Sequence, residues 1–228
     1  MNTLEEQIKI SRNVIIEMLE DRGYTIEHIV SHIPQKIFLK MWESFTNDSN
    51  DTIGAPVFDF ECENDTGDRI YIKYIREHIK KKTKKNTVYI NFKKLHEKVL
   101  HMNDILFNDQ ILYVICDTEN ENIEENNKII NIRMNKNVEV FDIKRLMTNI
   151  TKHFIVPTHE KISITEVYQL KKTLRIKNIY KLPAILKYDP VARYFNFKQG
   201  DVIKITRNSK STGIHISYRV CIESEDVV

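Results

Sequence analysis

Residues 181–222 read KLPAILKYDPVARYFNFKQGDVIKITRNSKSTGIHISYRVCI, and this stretch decides the fold of the C-terminal part of the chain. Asp189 followed by Pro190 predicts a helix start, because the carboxylate can accept a backbone N–H bond and the fixed φ of proline suits the first helical position. Gly200 offers the backbone freedom that a chain reversal requires. The β-branched run 202–206 predicts a strand.

The residues that follow complete a predicted β-hairpin. After the turn-rich segment 208–213, apolar and polar side chains alternate, which is the pattern of a strand with one buried and one polar face. The predicted buried face consists of Ile214, Ile216, Tyr218, Val220 and Ile222, and the opposite face of His215, Ser217, Arg219 and Cys221.

The same stretch resembles the C-terminal domain of the fifth shared subunit of eukaryotic nuclear RNA polymerases, a family that includes its counterpart in the archaeal enzyme. The block DPVARYF at 189–195 carries the resemblance, with Leu-Pro at 182–183 before it and matching residues across 200–219 after it. Segments 149–159 and 21–24 also resemble this family. The divergent first half and the abundance of Ile, Asn and Lys are typical of a protist or a viral member.

The resemblance implies a non-catalytic subunit of a multisubunit DNA-dependent RNA polymerase, without a cofactor. In relatives the C-terminal domain anchors to the largest subunit, and the N-terminal domain forms part of the jaw near downstream duplex DNA. The expected partners are therefore the largest subunit, other polymerase subunits and, weakly and without sequence preference, DNA. The residues predicted to bind a partner are Asp189, Pro190, Val191, Arg193, Tyr194, Arg207, Tyr218 and Arg219.

A structural alternative stays open for this block. Tyr194 and Phe195 would then fill the core of their own domain, and Asp189 with Pro190 would only begin a helix.

The length of 228 residues predicts two modest domains, 1–145 and 146–228. In the first, helices are predicted from Leu4 to Arg22, ended by Gly23, and from Pro34 with an inward stripe of Ile37, Phe38, Met41, Trp42 and Phe45. Strands at 56–62, 68–75, 111–116 and 138–141, with helices at 91–102 and 121–135, predict an α/β domain with right-handed crossovers. The family resemblance adds a nuclease-like topology without activity.

The second domain is predicted to be a small α+β module with a mixed sheet. Ser163 and Glu166 have the spacing of a capping box, which predicts a helix start. Val167, Leu170 and Leu174 are predicted to form the inward face of that helix.

The net charge of +3 is small for a nucleic-acid-binding protein, so a DNA contact must be local. The one dense basic run consists of Lys80, Lys81, Lys82, Lys84 and Lys85. Two interpretations stay open: the run faces the phosphates of downstream DNA, or it is an ordinary solvated loop.

Catalytic and metal-binding patterns are not found. A metal-dependent nuclease motif needs an acid two residues before Lys73, but Tyr71 stands there, so Asp59 and Glu61 on the preceding strand have no partner at that place. His28 and His32 have the spacing of a zinc helix but lack the adjacent glutamate. Three cysteines without CxxC spacing indicate neither zinc nor disulfides, and therefore an intracellular, reducing compartment. The family resemblance implies the nucleus in a cellular host, or a virion or cytoplasmic factory if the protein is viral.

Two other function classes remain. One is a free-standing transcription regulator that docks on a polymerase, and the other is a DNA-processing enzyme of nuclease ancestry.

Overall fold

The computed structural model describes residues 3–27, 33–47, 56–76, 109–116, 138–209 and 213–223. Contacts divide the chain into an N-terminal unit, Met1–Thr148, and a C-terminal unit, Asn149–Val228. The division falls within a few residues of the boundary expected from the sequence. Among the described residues, no helix is both long and apolar enough to cross a bilayer.

The N-terminal unit begins with helix α1, Leu4–Asp21. Thr3 and Glu6 form a reciprocal capping box, in which each side chain accepts the backbone N–H of the other. Ile8, Ile15, Met18 and Leu19 are buried on one face, as the helical spacing predicts. Gly23 follows the helix with a φ of 86°, which confirms its predicted place after the C-cap.

A five-stranded mixed sheet packs with this helix. Its strands are β1 (Tyr24–Thr25), β2 (Phe60–Asn64), β3 (Arg69–Arg76), β4 (Gln110–Cys116) and β5 (Val138–Asp142), in that order across the sheet. The pairs β1–β2 and β2–β3 are antiparallel, whereas β3–β4 and β4–β5 are parallel. Residues 111–116 are buried on both faces, which confirms the prediction for this apolar run. The predicted helices at 91–102 and 121–135 lie outside the described residues.

Two predictions for this unit need correction. Residues Pro56–Phe58 form a 3-10 turn rather than the start of a strand, and Phe58 is fully buried there against Phe38, with ring centroids 5.5 Å apart. Helix α2, Gln35–Asn47, buries Phe38 but leaves Ile37 exposed, so the predicted inward stripe is too wide.

The described part of the C-terminal unit contains a four-stranded mixed sheet and two helices, as predicted. The elements are β6 (Thr158–Lys161), α3 (Ile164–Thr173), β7 (Ala184–Leu186), α4 (Pro190–Tyr194), β8 (Val202–Ser209) and β9 (Gly213–Ile222). The strand order is β6-β8-β9-β7. β8 pairs antiparallel with β6 and β9, and β7 pairs in parallel with β9.

The core of this unit lies on one face of the sheet. Ile203, Ile205 and Cys221 point to that face and pack against Ala192 of α4 and against Phe197. Cys221 is one of the residues that the sequence assigned to the polar face of β9. Ile203 lies on the same face, because it pairs with Arg219.

The predicted buried face of β9 is therefore only partly right. Val220 and Ile222 are buried, but Ile214 is 67% and Ile216 46% exposed. The physical reason is that α4 and Phe197 cover the opposite face.

Helix α3 confirms its predicted start and corrects its predicted face. The Ser163 backbone N–H donates to Glu166 at 2.8 Å, and the Glu166 N–H donates to the Ser163 hydroxyl at 3.3 Å. No residue of α3 is buried: Val167 and Leu170 are half-buried, and Leu174 is exposed.

Candidate docking surface of the C-terminal unit

The block 189–195 begins with a capped helix. The Asp189 carboxylate accepts the backbone N–H groups of Val191 at 2.9 Å and Ala192 at 3.4 Å. Pro190 occupies the first turn, where its missing N–H costs nothing, and its side chain is exposed. The Asp189 side chain thus holds the start of α4 in place.

Tyr194 lies inside the unit rather than on its surface. It is 4% exposed, and its hydroxyl accepts a hydrogen bond from the Asn149 side-chain amide at 2.9 Å. The oxygen of the same amide accepts the Thr151 N–H at 2.9 Å. Phe195 stacks on Phe197 with centroids 5.4 Å apart. For Tyr194 the structure therefore shows the core position that the sequence left as an alternative.

The other predicted partner-binding residues have different exposures. Val191 is buried, Arg193 and Tyr218 are half-buried, and Arg207 and Arg219 are exposed. The Arg219 guanidinium donates to the Ala184 carbonyl at 2.8 Å, which fixes this arginine across β7. Binding of a partner by these residues stays a prediction.

Exposed apolar side chains are concentrated in the C-terminal unit. Most of the large apolar residues that are exposed among the described residues lie there: Phe154, Ile155, Ile164, Tyr168, Leu174, Tyr180, Ile214 and Ile216. Ile37 and Leu39 are the N-terminal examples. Apolar surface of this kind is typical of a protein that docks on a partner when it forms a continuous patch.

The two exposed arginines share a face of the hairpin with a histidine. Arg207 pairs directly with His215, and Arg219 lies on the same side of β9 four residues on. Ile214 and Ile216 lie on the opposite side. One end of the sheet therefore presents a basic side and an apolar side.

The N-terminal unit contains an ion pair between Asp59 and Lys73. The Lys73 ammonium lies 3.1 Å from the Asp59 carboxylate, which also accepts the Tyr74 N–H at 2.9 Å. Burial raises the pKa of Asp59, while Lys73 and the Tyr74 N–H act in the opposite direction.

This pair does not form a metal site. Tyr71, at the position where the nuclease motif needs an acid, pairs with Glu61 in register. In the part of the chain that the structure describes, no group of three His, Cys, Asp or Glu side chains could hold a metal ion. The geometry around Lys73 is that of a half-buried ion pair.

All three cysteines are buried thiols outside any disulfide. Burial raises the pKa of the Cys62 thiol to about 12 and that of Cys221 to about 11. Neither thiol is a reactive nucleophile at neutral pH, because the thiolate is the reactive form.

Some predicted sites lie outside the described residues. These are the lysine run at Lys80, Lys81, Lys82, Lys84 and Lys85, and the histidine pair at His28 and His32.

Sequence reasoning missed two long-range contacts, one inside each unit. One is the Asn149–Tyr194 hydrogen bond, and the other is the bidentate ion pair of Arg22 with Glu139, at 3.0 and 2.9 Å. Asn149 could have been singled out as a capping residue from its type and position before a short turn. Its distant partner has no local signal.

Comparison with known proteins gives a consistent result. Residues 148–221 match the family model described as RNA polymerase Rpb5, C-terminal domain. The chain is 28% identical over 213 residues to the DNA-directed RNA polymerases I, II, and III subunit rpabc1 of Dictyostelium discoideum, an alignment that covers 92% of this chain and 95% of the relative. It is 40% identical over 85 residues to subunit RPABC1 of Caenorhabditis elegans, which covers 37% of this chain and 40% of the relative, and the Caenorhabditis briggsae protein gives the same values.

Proposed function

Through residues 148–221 this chain belongs to the RNA polymerase Rpb5 family, and from that premise we propose that it is a non-catalytic subunit of a multisubunit DNA-directed RNA polymerase. The observation that carries the proposal is the agreement between two boundaries. The family match begins at residue 148, and the C-terminal unit with its own sheet and core begins at Asn149. The match thus begins where the unit with its own sheet and core begins.

The C-terminal unit is proposed to anchor the protein to the largest polymerase subunit. Its exposed apolar residues and the arginines of the hairpin support this role, because aromatic residues and arginine dominate interface energetics. Within the predicted set, Pro190, Arg193, Arg207, Tyr218 and Arg219 are assigned to the contact. Asp189, Val191 and Tyr194 are assigned to the shape of the block that carries it.

A non-catalytic role is supported by the chemistry of the described residues. Lys73 is engaged with Asp59, Tyr71 stands where a nuclease needs a carboxylate, and the buried Cys62 and Cys221 thiols are protonated at neutral pH. We expect no metal-dependent cleavage of DNA by the purified protein.

The N-terminal unit is proposed to form part of the jaw near downstream DNA, with the lysine run 80–85 supplying the positive charge. Each phosphate contact by a lysine releases counterions and makes affinity fall as salt rises. Replacing the five lysines by serine should therefore flatten the salt dependence of polymerase–DNA binding. An unchanged slope would remove the lysine run from the DNA interface while leaving the subunit assignment intact.

The assignment is tested by the stoichiometry of the native enzyme. The chain is tagged in its source cells, the polymerase is purified through a different subunit, and the intact complex is weighed by native mass spectrometry. A constant single copy that survives high-salt washing is the expected result. A substoichiometric, salt-labile copy would identify a free-standing regulator instead. We expect the protein inside the cell, in the compartment where its polymerase transcribes.

A further inference from the structure

Among the described residues, no strand pairs with one edge of β9 over more than half of its length. Strand β9 runs from Gly213 to Ile222, but β7 pairs only with residues 220–222. The other neighbour, β8, pairs with β9 along the opposite edge from residue 213 to residue 220. Residues 213–219 of β9 thus extend beyond the end of β7.

The main-chain groups of alternate residues point toward this open edge. The Val220 N–H donates to the Pro183 carbonyl on the β7 side at 2.9 Å, whereas the Cys221 N–H donates to Asp201 on the β8 side at 2.8 Å. Successive residues of a strand alternate in this direction. The N–H and C=O groups of Ile214, Ile216 and Tyr218 therefore point away from β8, in line with the groups of Val220.

A proline stops β7 from covering this edge. The next parallel ladder bond would run from the backbone nitrogen of residue 183 to the Tyr218 carbonyl, and Pro183 has no N–H to donate. The chain before it forms the 3-10 turn Ile179–Lys181. Among the described residues, no main-chain hydrogen bond between separate elements reaches the β7 side of β9 before Val220.

The side chains along the open edge have a distinct pattern on each face. Ile214 and Ile216 are exposed on one face, and His215 and Arg219 are exposed on the other. Natural proteins protect exposed strand edges with charges, prolines or covering segments. Here the apolar face of the edge carries isoleucine instead, which indicates that another segment covers it in the assembled protein.

We propose that this edge, residues 213–219 of β9, accepts an extended segment of a partner polymerase subunit as a fifth strand of the sheet. The segment lies in line with β7 and pairs with the outward main-chain groups of Ile214, Ile216 and Tyr218. Its side chains alternate, with apolar residues against Ile214 and Ile216 and carboxylates against the basic face. The proposal rests on the proposed function, since the partner is taken to be a polymerase chain.

The charge pattern is the reason for choosing an acidic, apolar strand as the occupant. In a paired strand, neighbouring side chains on the same face lie about 5 Å apart. A carboxylate beside Arg219 of β9 is favoured at that distance, and a lysine there is repelled, whereas Arg207 lies one strand further from the open edge, on β8. An added strand with uniform polarity on both faces would match only one side of the edge.

The decisive variant is Ile216→Pro, which removes one outward N–H and leaves the β8 ladder intact, because residue 216 does not donate to β8. Its matched control is Lys161→Pro. The Ile162 N–H donates to Val202 of β8, so the Lys161 N–H points outward from the other edge of the sheet. We expect Ile216→Pro to bind purified polymerase that lacks this subunit about tenfold more weakly, as for one lost main-chain bond. Lys161→Pro should bind like the unaltered chain.

The charge pattern is tested by Arg219→Glu, with Lys177→Glu as the control for an equal change of net charge at an exposed position away from the hairpin. Arg219→Glu should weaken binding to the same polymerase by about tenfold, and Lys177→Glu should not. Equal effects of the two variants would overturn the acidic character of the added strand.

A measurement on the unaltered chain keeps the test independent of how the variants fold. Amide hydrogen exchange is compared for the free protein and for the assembled polymerase. The amides of Ile214, Ile216 and Tyr218 should exchange fast in the free protein and at least tenfold more slowly in the complex. Unchanged exchange at these three amides would overturn the strand addition, whereas a chain that fails to join any polymerase would instead overturn the proposed function.

Discussion

Tyr194→Phe separates the two roles that a buried aromatic in the DPVARYF block can have. The substitution removes only the hydroxyl, which accepts a 2.9 Å hydrogen bond from the Asn149 amide. Tyr194 is 4% and Asn149 7% exposed, so water cannot replace the lost partner without rearrangement. Leaving a buried donor unsatisfied costs about 1–3 kcal/mol. For a unit of this size, each kcal/mol lowers the melting temperature by about 4–8 °C.

The assay must report on the C-terminal unit. Trp42, the one tryptophan of the chain, lies in the N-terminal unit, so its fluorescence follows the wrong transition. Hydrogen exchange of the β8 amides that pair with β9 gives, under native conditions, the stability of the C-terminal unit directly. The control is Tyr168→Phe, because Tyr168 is 61% exposed. Removing this exposed hydroxyl should change the free energy of unfolding by less than about 0.5 kcal/mol.

The result distinguishes core from contact. If Tyr194 is a core residue, the free protein loses stability, and its affinity for polymerase falls only as far as folding requires. A Tyr194→Phe protein with unchanged stability and weakened polymerase binding would refute the reasoning.

Three further predictions concern the caps, the ion pairs and the pH dependence of stability. Asp189→Ala should destabilise the C-terminal unit by about 1 kcal/mol in denaturant unfolding, while Asp189→Asn keeps an acceptor and should not. Arg22→Met should lower the free energy of unfolding by about 3 kcal/mol, since it leaves the Glu139 carboxylate half-buried and unpaired. Adding Glu139→Gln should recover part of that loss, and no recovery would contradict the pairing. Burial raises the pKa of Tyr24 from 10.0 to about 12 and that of Cys62 from 9.0 to about 12. Because the folded values are the higher ones, this stability is complete below about pH 8 and is lost as the pH rises toward 12, so the urea midpoint should fall between pH 8 and pH 11. A constant midpoint would contradict the burial of these groups.

Local signals were sufficient to predict much of the secondary structure. Asp189 with Pro190, Ser163 with Glu166, and Gly23 after α1 each act within one helical turn, so the sequence alone indicates where these helices begin or end. The apolar run of β4 was equally informative, because a strand in the middle of a sheet is covered on both faces.

The choice of buried face in β9 could not be predicted in the same way. Alternation defines two faces, but it does not say which of them the rest of the unit covers. Ala192 and Phe197, which are distant from the hairpin tip, pack on the Cys221 side and leave Ile214 exposed. The same limit applies to α3, whose apolar spacing predicted burial of Leu174 where no other described element covers it.

The candidate site shows a similar division. The sequence placed the block 189–195 in the C-terminal unit, because a seven-residue match to a family is specific. The sequence did not show that Tyr194 is buried whereas Arg207 is exposed. Residue types that pack in a core and residue types that contact a partner overlap, so type alone does not distinguish the two roles.

Pro183 gives the rim of the sheet a property that its strand order alone does not have. A residue with an N–H at this position, as in Pro183→Ala, would allow β7 to grow by one register step along β9 toward Tyr218. The chain would then close part of its own rim, and an incoming strand would have to displace it. Pro183 therefore limits how far β7 pairs with β9 and how many main-chain groups of β9 remain accessible to another chain.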